Sequence, residues 1–123
     1  MKLLNRNDIL NPRDLPFQDV PLPELGPEVG VRVRTLTSEQ LEEYQNTILN
    51  ARSGKAGKRV DLRGSTARLL VLCVVDETGE PLFTEADIMA LNKQSARTVQ
   101  TISNVAMELN GLKEADLEGL VKN

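Results

Sequence analysis

A chain of 123 residues, 40% hydrophobic and 27% charged, has room for one domain and one modest core. Its formal charge of −3 and pI near 5.0 argue against wholesale nucleic-acid binding. The absence of histidine removes the usual general base and the commonest metal ligand, and a lone cysteine permits no intramolecular disulfide. Aromatics are confined to Phe17, Tyr44 and Phe83. The core is therefore built from Leu, Val, Ile, Met and Ala, which suits helices packing on helices.

In chain order, residues 1–18 hold a short helical candidate with Leu3-Leu4 and Ile9-Leu10 spaced by polar residues. Pro12 and Pro16 stop it, because proline cannot donate and restricts the residue before it. One or two turns, docked by Ile9 and Leu10, are expected. Asn5, Arg6, Asn7 and Asp8 interrupt any signal-peptide pattern. No apolar run approaches the ~18–20 residues that span a bilayer.

Asp19 to Leu25 alternates Val20 and Leu22 inward with Pro21 and Pro23 outward, the pattern of an edge strand or extended segment. After a turn at Gly26-Pro27-Glu28, Val29, Val31 and Val33 alternate with Arg32 and Arg34 in a second strand. The valine face needs a helix to cover it. The second strand lacks proline, so its outer edge at Val31, Arg32, Val33 and Arg34 either accepts a strand from a neighbouring copy or is covered within the chain.

Thr37 and Gln40 form a capping-box signature, and Leu41, Tyr44 and Ile48 follow on one helical face. Ser53 to Val60 reads as a flexible loop. From Asp61 to Val75 the spacing predicts a helix with Leu62, Thr66, Leu69, Leu70 and Cys73 in one stripe, and Cys73 as a small buried hydrophobe. Leu72 and Val75 lie off that face, covered either by later helices or by a partner. Asp76 to Gly79 is a turn, and Thr84 with Asp87 starts a short helix burying Ile88 and Leu91. Ser95 caps a helix that turns Val99, Ile102, Ala106 and Leu109 inward, Gly111 suits the left-handed position after it, and Leu117, Leu120 and Val121 mark a last helix.

The fold class is thus α+β, mostly α: one small helical domain over residues 1–123 with an N-terminal two-stranded antiparallel hairpin at about 19–36. Helices are expected at about 38–52, 61–75, 84–91, 95–110 and 113–121.

No catalytic motif is found. Histidine-based triads and a conventional zinc site are excluded, and neither a Walker A loop nor a GxGxxG turn is present. Asp76, Glu77 and Glu80 lack the rhythm of a calcium loop and read as a solvated turn. No catalytic, metal or cofactor residue is assigned. Arg52, Lys55, Lys58, Arg59 and Arg63 form the one concentrated basic segment. No aromatics interleave there for base stacking, so an acidic partner helix is its better use. A small regulatory nucleic-acid-binding protein using residues 52–63 is the alternative reading.

One resemblance covers nearly the whole chain. It is carried by Ile9-Leu10, Asp14-Leu15-Pro16, Val20-x-Leu22-Pro23-Glu24-x-Gly26, Val31-x-Val33-Arg34-x-Leu36 and Glu39. It continues through Arg68-Leu69, Val74-Val75-Asp76-Glu77-x-Gly79-x-Pro81-Leu82-Phe83, Asp87 and Leu109-Asn110-Gly111-Leu112. In order and spacing this resembles the tail assembly chaperones of long-tailed, siphovirus-type bacteriophages and prophages. An aromatic near Leu25, common in that family, is missing here.

The resemblance implies a non-enzymatic protein of the host cell cytoplasm, absent from the mature virion. It would coat the tape measure protein, keep it soluble and help recruit tail tube subunits. Several copies along one filament imply a homo-oligomer, and Leu72, Val75 and the basic segment are candidate partner contacts. The family also implies a longer frameshifted form that reaches the tube protein. Val121-Lys122-Asn123 can be encoded GUA AAA AAC, which contains a slippery run.

Overall fold

The computed structural model describes residues 1–11, 15–52 and 65–112. The expected loop at 53–60, the start of the helix expected at 61–75 and the helix expected at 113–121 lie outside the described residues. The fold is α+β and mostly helical, with an antiparallel sheet entered through an N-terminal hairpin.

Strand β1 (Phe17–Pro21) pairs with β2 (Gly30–Arg34) in a register that sets Asp19 opposite Arg32 and Val20 opposite Val31. Val20, Leu22 and Val33 are buried while Pro21 and Pro23 are exposed, as the alternation requires. The extended segment is shorter than expected. At Pro23 the chain enters a 3-10 turn over Pro23–Leu25, since proline suits a first helical position, and the Gly26 amide donates back to the Pro23 carbonyl. Glu28 then takes a left-handed φ of 55° and the Leu22 amide closes the hairpin on the Val29 carbonyl at 2.9 Å. Gly30 permits this closure: a Cβ there would overlap the Val20 carbonyl oxygen.

Helix α2 (Ser38–Arg52) begins where its capping box places it: the Thr37 amide donates to Gln40 Oε1 at 3.0 Å and the Gln40 amide to Thr37 Oγ1 at 3.1 Å. Tyr44 and Ile48 are buried on its inner face. Helix α3 (Ser65–Cys73) packs against α2 and against α5 (Ala96–Leu109), with α4 (Ile88–Asn92) on a further side. Contact on so many sides explains why its apolar residues exceed one stripe: Ala67, Leu69, Leu70 and Cys73 are all buried, and Leu72 is half-buried against the same core. Each fully buried leucine contributes roughly 1.5–3 kcal/mol of transfer free energy.

The helix expected over 61–75 stops at Cys73. Val74–Val75 instead forms β3, whose register sets Val74 opposite Val33 and Val75 opposite Arg32. Two consecutive β-branched residues suit a strand, and the turn after them needs extended chain on both sides. In that turn the Gly79 amide donates to the Asp76 carbonyl at 3.0 Å, the Asp76 amide to the Glu80 carbonyl at 2.8 Å, and Gly79 has φ +89°. This is a type I turn closed by a glycine bulge. The Leu82 amide then donates to the Val74 carbonyl at 3.1 Å, and Pro81 bridges Val75.

Among the described residues the sheet order is therefore β1-β2-β3, three strands rather than the two of the expected hairpin. The outer edge of β2 is covered within the chain at Arg32 and Val33. Of the two uses open to the edge at Val31, Arg32, Val33 and Arg34, the intrachain one is realised at Arg32 and Val33.

Helix α5 lies over β1 and β2, supplying the cover that the valine face requires. Ile102, Ser103 and Ala106 are its buried residues, Ser103 being a position the apolar pattern does not mark. Ser95 occupies its N-cap position without a side-chain capping hydrogen bond. The helix ends in a Schellman motif: the Leu112 amide donates to the Met107 carbonyl at 2.8 Å, the Gly111 amide to the Glu108 carbonyl at 3.1 Å, and Gly111 has φ +67°.

At the start of the chain, α1 (Arg6–Leu10) is a single turn held by an Asn5–Asp8 capping box. It does not dock as expected: Ile9 is 65% and Leu10 60% exposed, and none of its residues is buried.

Candidate functional site

The face of the sheet opposite α5 gathers residues from all three strands. Alternation along β1 and β2 puts Phe17, Asp19, Arg32 and Arg34 on this face. Arg32 holds Asp19 with two hydrogen bonds, Nε to Oδ1 at 2.7 Å and Nη2 to Oδ2 at 3.1 Å, and its guanidinium stands 4.1 Å from the Phe17 ring centroid. The bidentate geometry draws the Asp19 carboxyl below its ordinary range. Val75 is 4% exposed although it sits opposite Arg32 on this outer face.

Beside it Arg34 donates Nη1 to the Gly79 carbonyl at 3.2 Å and so ties β2 to the β3 turn, while its Nε is buried without a partner. Two shallow grooves flank the Asp19–Arg32–Val75 row. One, about 560 Å³, runs toward Pro21, Val29, Gly30 and Leu82. The other, about 570 Å³, runs toward Phe17, Arg34, Thr37 and Gly79. Arg32, Val75 and Glu77 line both.

The turn that walls both grooves is locally fixed. Asp76 Oδ1 accepts from the Thr78 amide at 2.8 Å, the Thr78 hydroxyl at 2.6 Å and the Glu80 amide at 3.1 Å, which holds the Asp76 carboxyl below its ordinary value. On the opposite side of the sheet the Cys73 thiol is completely buried. Burial pushes it up to about 12, leaving a structural rather than a reactive cysteine. Among the described residues no group of three or more metal-ligating side chains occurs, and no helix is long and apolar enough to cross a membrane.

The residues singled out from sequence fall in three places. Val75 and Arg32, nominated for different roles, are register partners at the centre of the outer face. Leu72 is half-buried against the core. Of the basic segment, Arg52 ends α2, whereas Lys55, Lys58, Arg59 and Arg63 lie outside the described residues. Sequence reading missed the groove-lining Val29, assigned to the inward valine face, and Leu82, given no structural role between the Asp76–Gly79 turn and Thr84. No protein-family model, curated protein or solved structure matches this chain.

Proposed function

We propose that this chain is a phage tail assembly chaperone that binds the tape measure protein, keeps it soluble and helps recruit tail tube subunits during tail morphogenesis. The observation that carries the proposal is the ordered succession of motifs from Val20-x-Leu22-Pro23 to Leu109-Asn110-Gly111-Leu112. Three of the segments that carry the resemblance are joints of this fold: the hairpin turn, the β3 turn and the Schellman end of α5. They are spread along the sequence but belong to one packed unit.

Physical chemistry supports a holding role. Tape measure proteins are long and helical with apolar faces, and a partner that solubilises them needs apolar grooves on an acidic, soluble exterior. The outer sheet face offers two shallow grooves, one with apolar walls and a carboxylate rim, the other combining Leu15, Phe17 and Val75 with Arg32, Arg34 and Glu77. No catalytic step is assigned to it. The chaperone works in the host cytoplasm as a homo-oligomer, is absent from the mature virion, and reaches the tube protein through a longer frameshifted form.

The test is co-expression with the tape measure protein of the same phage or prophage, reading its soluble fraction and co-purification. Gene order is an independent check: a tube protein gene upstream and a very long tape measure gene downstream agree with the proposal, and a chromosomal setting without tail genes opposes it.

A further inference from the structure

Large apolar side chains that remain exposed among the described residues include two separate groups. One is the leading segment, with Leu3, Leu4, Ile9 and Leu10. Its helical turn is formed, since the Asp8 amide donates to Asn5 Oδ1 at 2.9 Å and the Asn5 amide to Asp8 Oδ2 at 3.0 Å, yet it buries nothing. An isolated turn of this length is marginal in water, so its capped form with bare apolar pairs is suited to lying on another surface. The second group includes Val29, 44% exposed, and Leu82, 47% exposed, which line the 560 Å³ groove together with Pro21 and Val75.

The two surfaces are complementary in charge as well as in apolarity. The groove is rimmed by Asp19, Glu28, Asp76 and Glu77 with Arg32 as the one cation among its lining residues. The leading segment places Lys2 and Arg6 on either side of the Leu3–Leu4 pair. Apolar residues between two cations match an apolar groove between carboxylates.

We propose that residues 1–11 of one copy dock in the Val29–Leu82 groove of a second copy. Ile9, Leu10 and the Leu3–Leu4 pair cover the groove walls while Lys2 and Arg6 meet the acidic rim. The contact is heterologous, joining two different surfaces, so each copy keeps one free segment and one free groove, and assembly continues into a ring or an open filament. This specifies the self-association that the chaperone reading calls for, but it rests on surfaces of this chain alone and involves no client. Its failure and the failure of tape measure binding are therefore read in separate experiments.

Complementation of two defective copies tests it. Sedimentation equilibrium of the unaltered chain is compared with Ile9→Gln/Leu10→Gln, which spoils the segment, and Val29→Asp/Leu82→Asp, which spoils the groove. All four positions are exposed, so both variants are expected to melt within a few degrees of the parent; Val29→Asp alone, outside every strand, serves if the double groove variant does not.

The parent is expected to gain mass with concentration, and each variant alone to associate at least about tenfold more weakly. An equimolar mixture is expected to form a pair and stop, because only one intact segment and one intact groove remain. A strictly monomeric parent overturns the proposal, whether the segment lies in its own groove or serves another partner. Variants that associate like the parent, or a mixture that fails to pair, also overturn it.

Discussion

The backbone amide of Leu36 donates to the side-chain Oδ1 of Asn110 at 2.7 Å, joining the approach to α2 with the end of α5 across 74 residues of sequence. The same side chain donates Nδ2 to the Ala106 carbonyl at 2.8 Å and lies 3.8 Å from Cys73 Sγ. One amide thus ties together the sheet exit, the last turn of α5 and the end of α3. Asn110→Ala leaves the part-buried Leu36 amide without its acceptor. The expected cost is about 1–3 kcal/mol in urea unfolding, with the slope of the transition unchanged. Asn110→Asp keeps the acceptor but sets a carboxylate oxygen against the Ala106 carbonyl at the C-terminal end of α5, so it should also destabilise the fold at neutral pH.

Cys73 lies beside that junction, and burial raises its thiol to about 12. At neutral pH almost no thiolate is present and the sulfur is enclosed, so alkylation of the native protein should be slow enough to follow unfolding. Iodoacetamide labelling is expected to rise steeply only across the urea transition. Rapid labelling below the transition would contradict the packing of α3 against α5.

Asp19 and Asp76 both have carboxyls lowered from the ordinary value of 3.8 by hydrogen bonds to their charged forms. A lowered carboxyl stabilises the fold above its unfolded value, and that contribution disappears as pH falls through the lower folded value. The melting temperature should therefore fall on acidification below about pH 4. Asp76→Asn retains a carbonyl acceptor for Thr78 and Glu80 but cannot titrate. Its melting curve should depend less on pH in this window and approach the parent curve at the acid end.

Val75 and Leu72 distinguish core from surface on the two sides of the α3–β3 junction. Val75 is almost completely buried and its backbone is paired toward both β2 and Pro81. A carboxylate there loses most of its solvation, and its register partner Arg32 is already held by Asp19, so Val75→Glu should strongly destabilise the fold. Leu72 is half-buried, and Leu72→Glu should leave a folded but less stable protein. Circular dichroism melts separate the outcomes. Leu70→Ala, which empties a fully buried site, calibrates the scale at about 2–5 kcal/mol.

Much of this architecture is written in local chemistry. The Thr37–Gln40 and Thr84–Asp87 signatures start helical turns where the side chains reach back to free amides, and Gly111 ends α5 because only its left-handed backbone completes the motif. The inward Val20 and Leu22 follow from strand alternation alone. What escaped depends on pairing across the chain. Val74-Val75 continues an apolar run, and only the proximity of β2 with the tight Asp76–Gly79 turn makes it a strand. Exposure of Ile9 and Leu10 escaped because a periodic apolar pattern does not say whether a receiving surface exists in the same chain. Val29 alternates with Val31 and Val33, but it lies outside β2 in the hairpin connection and reaches solvent.

The most direct measurement of the chaperone proposal is the soluble yield of the tape measure protein when the two chains are made together. A several-fold rise, with the two proteins co-purifying and Leu72→Glu weakening the effect while remaining soluble, is the expected result. A tape measure protein that stays insoluble and unbound beside abundant soluble partner would contradict it.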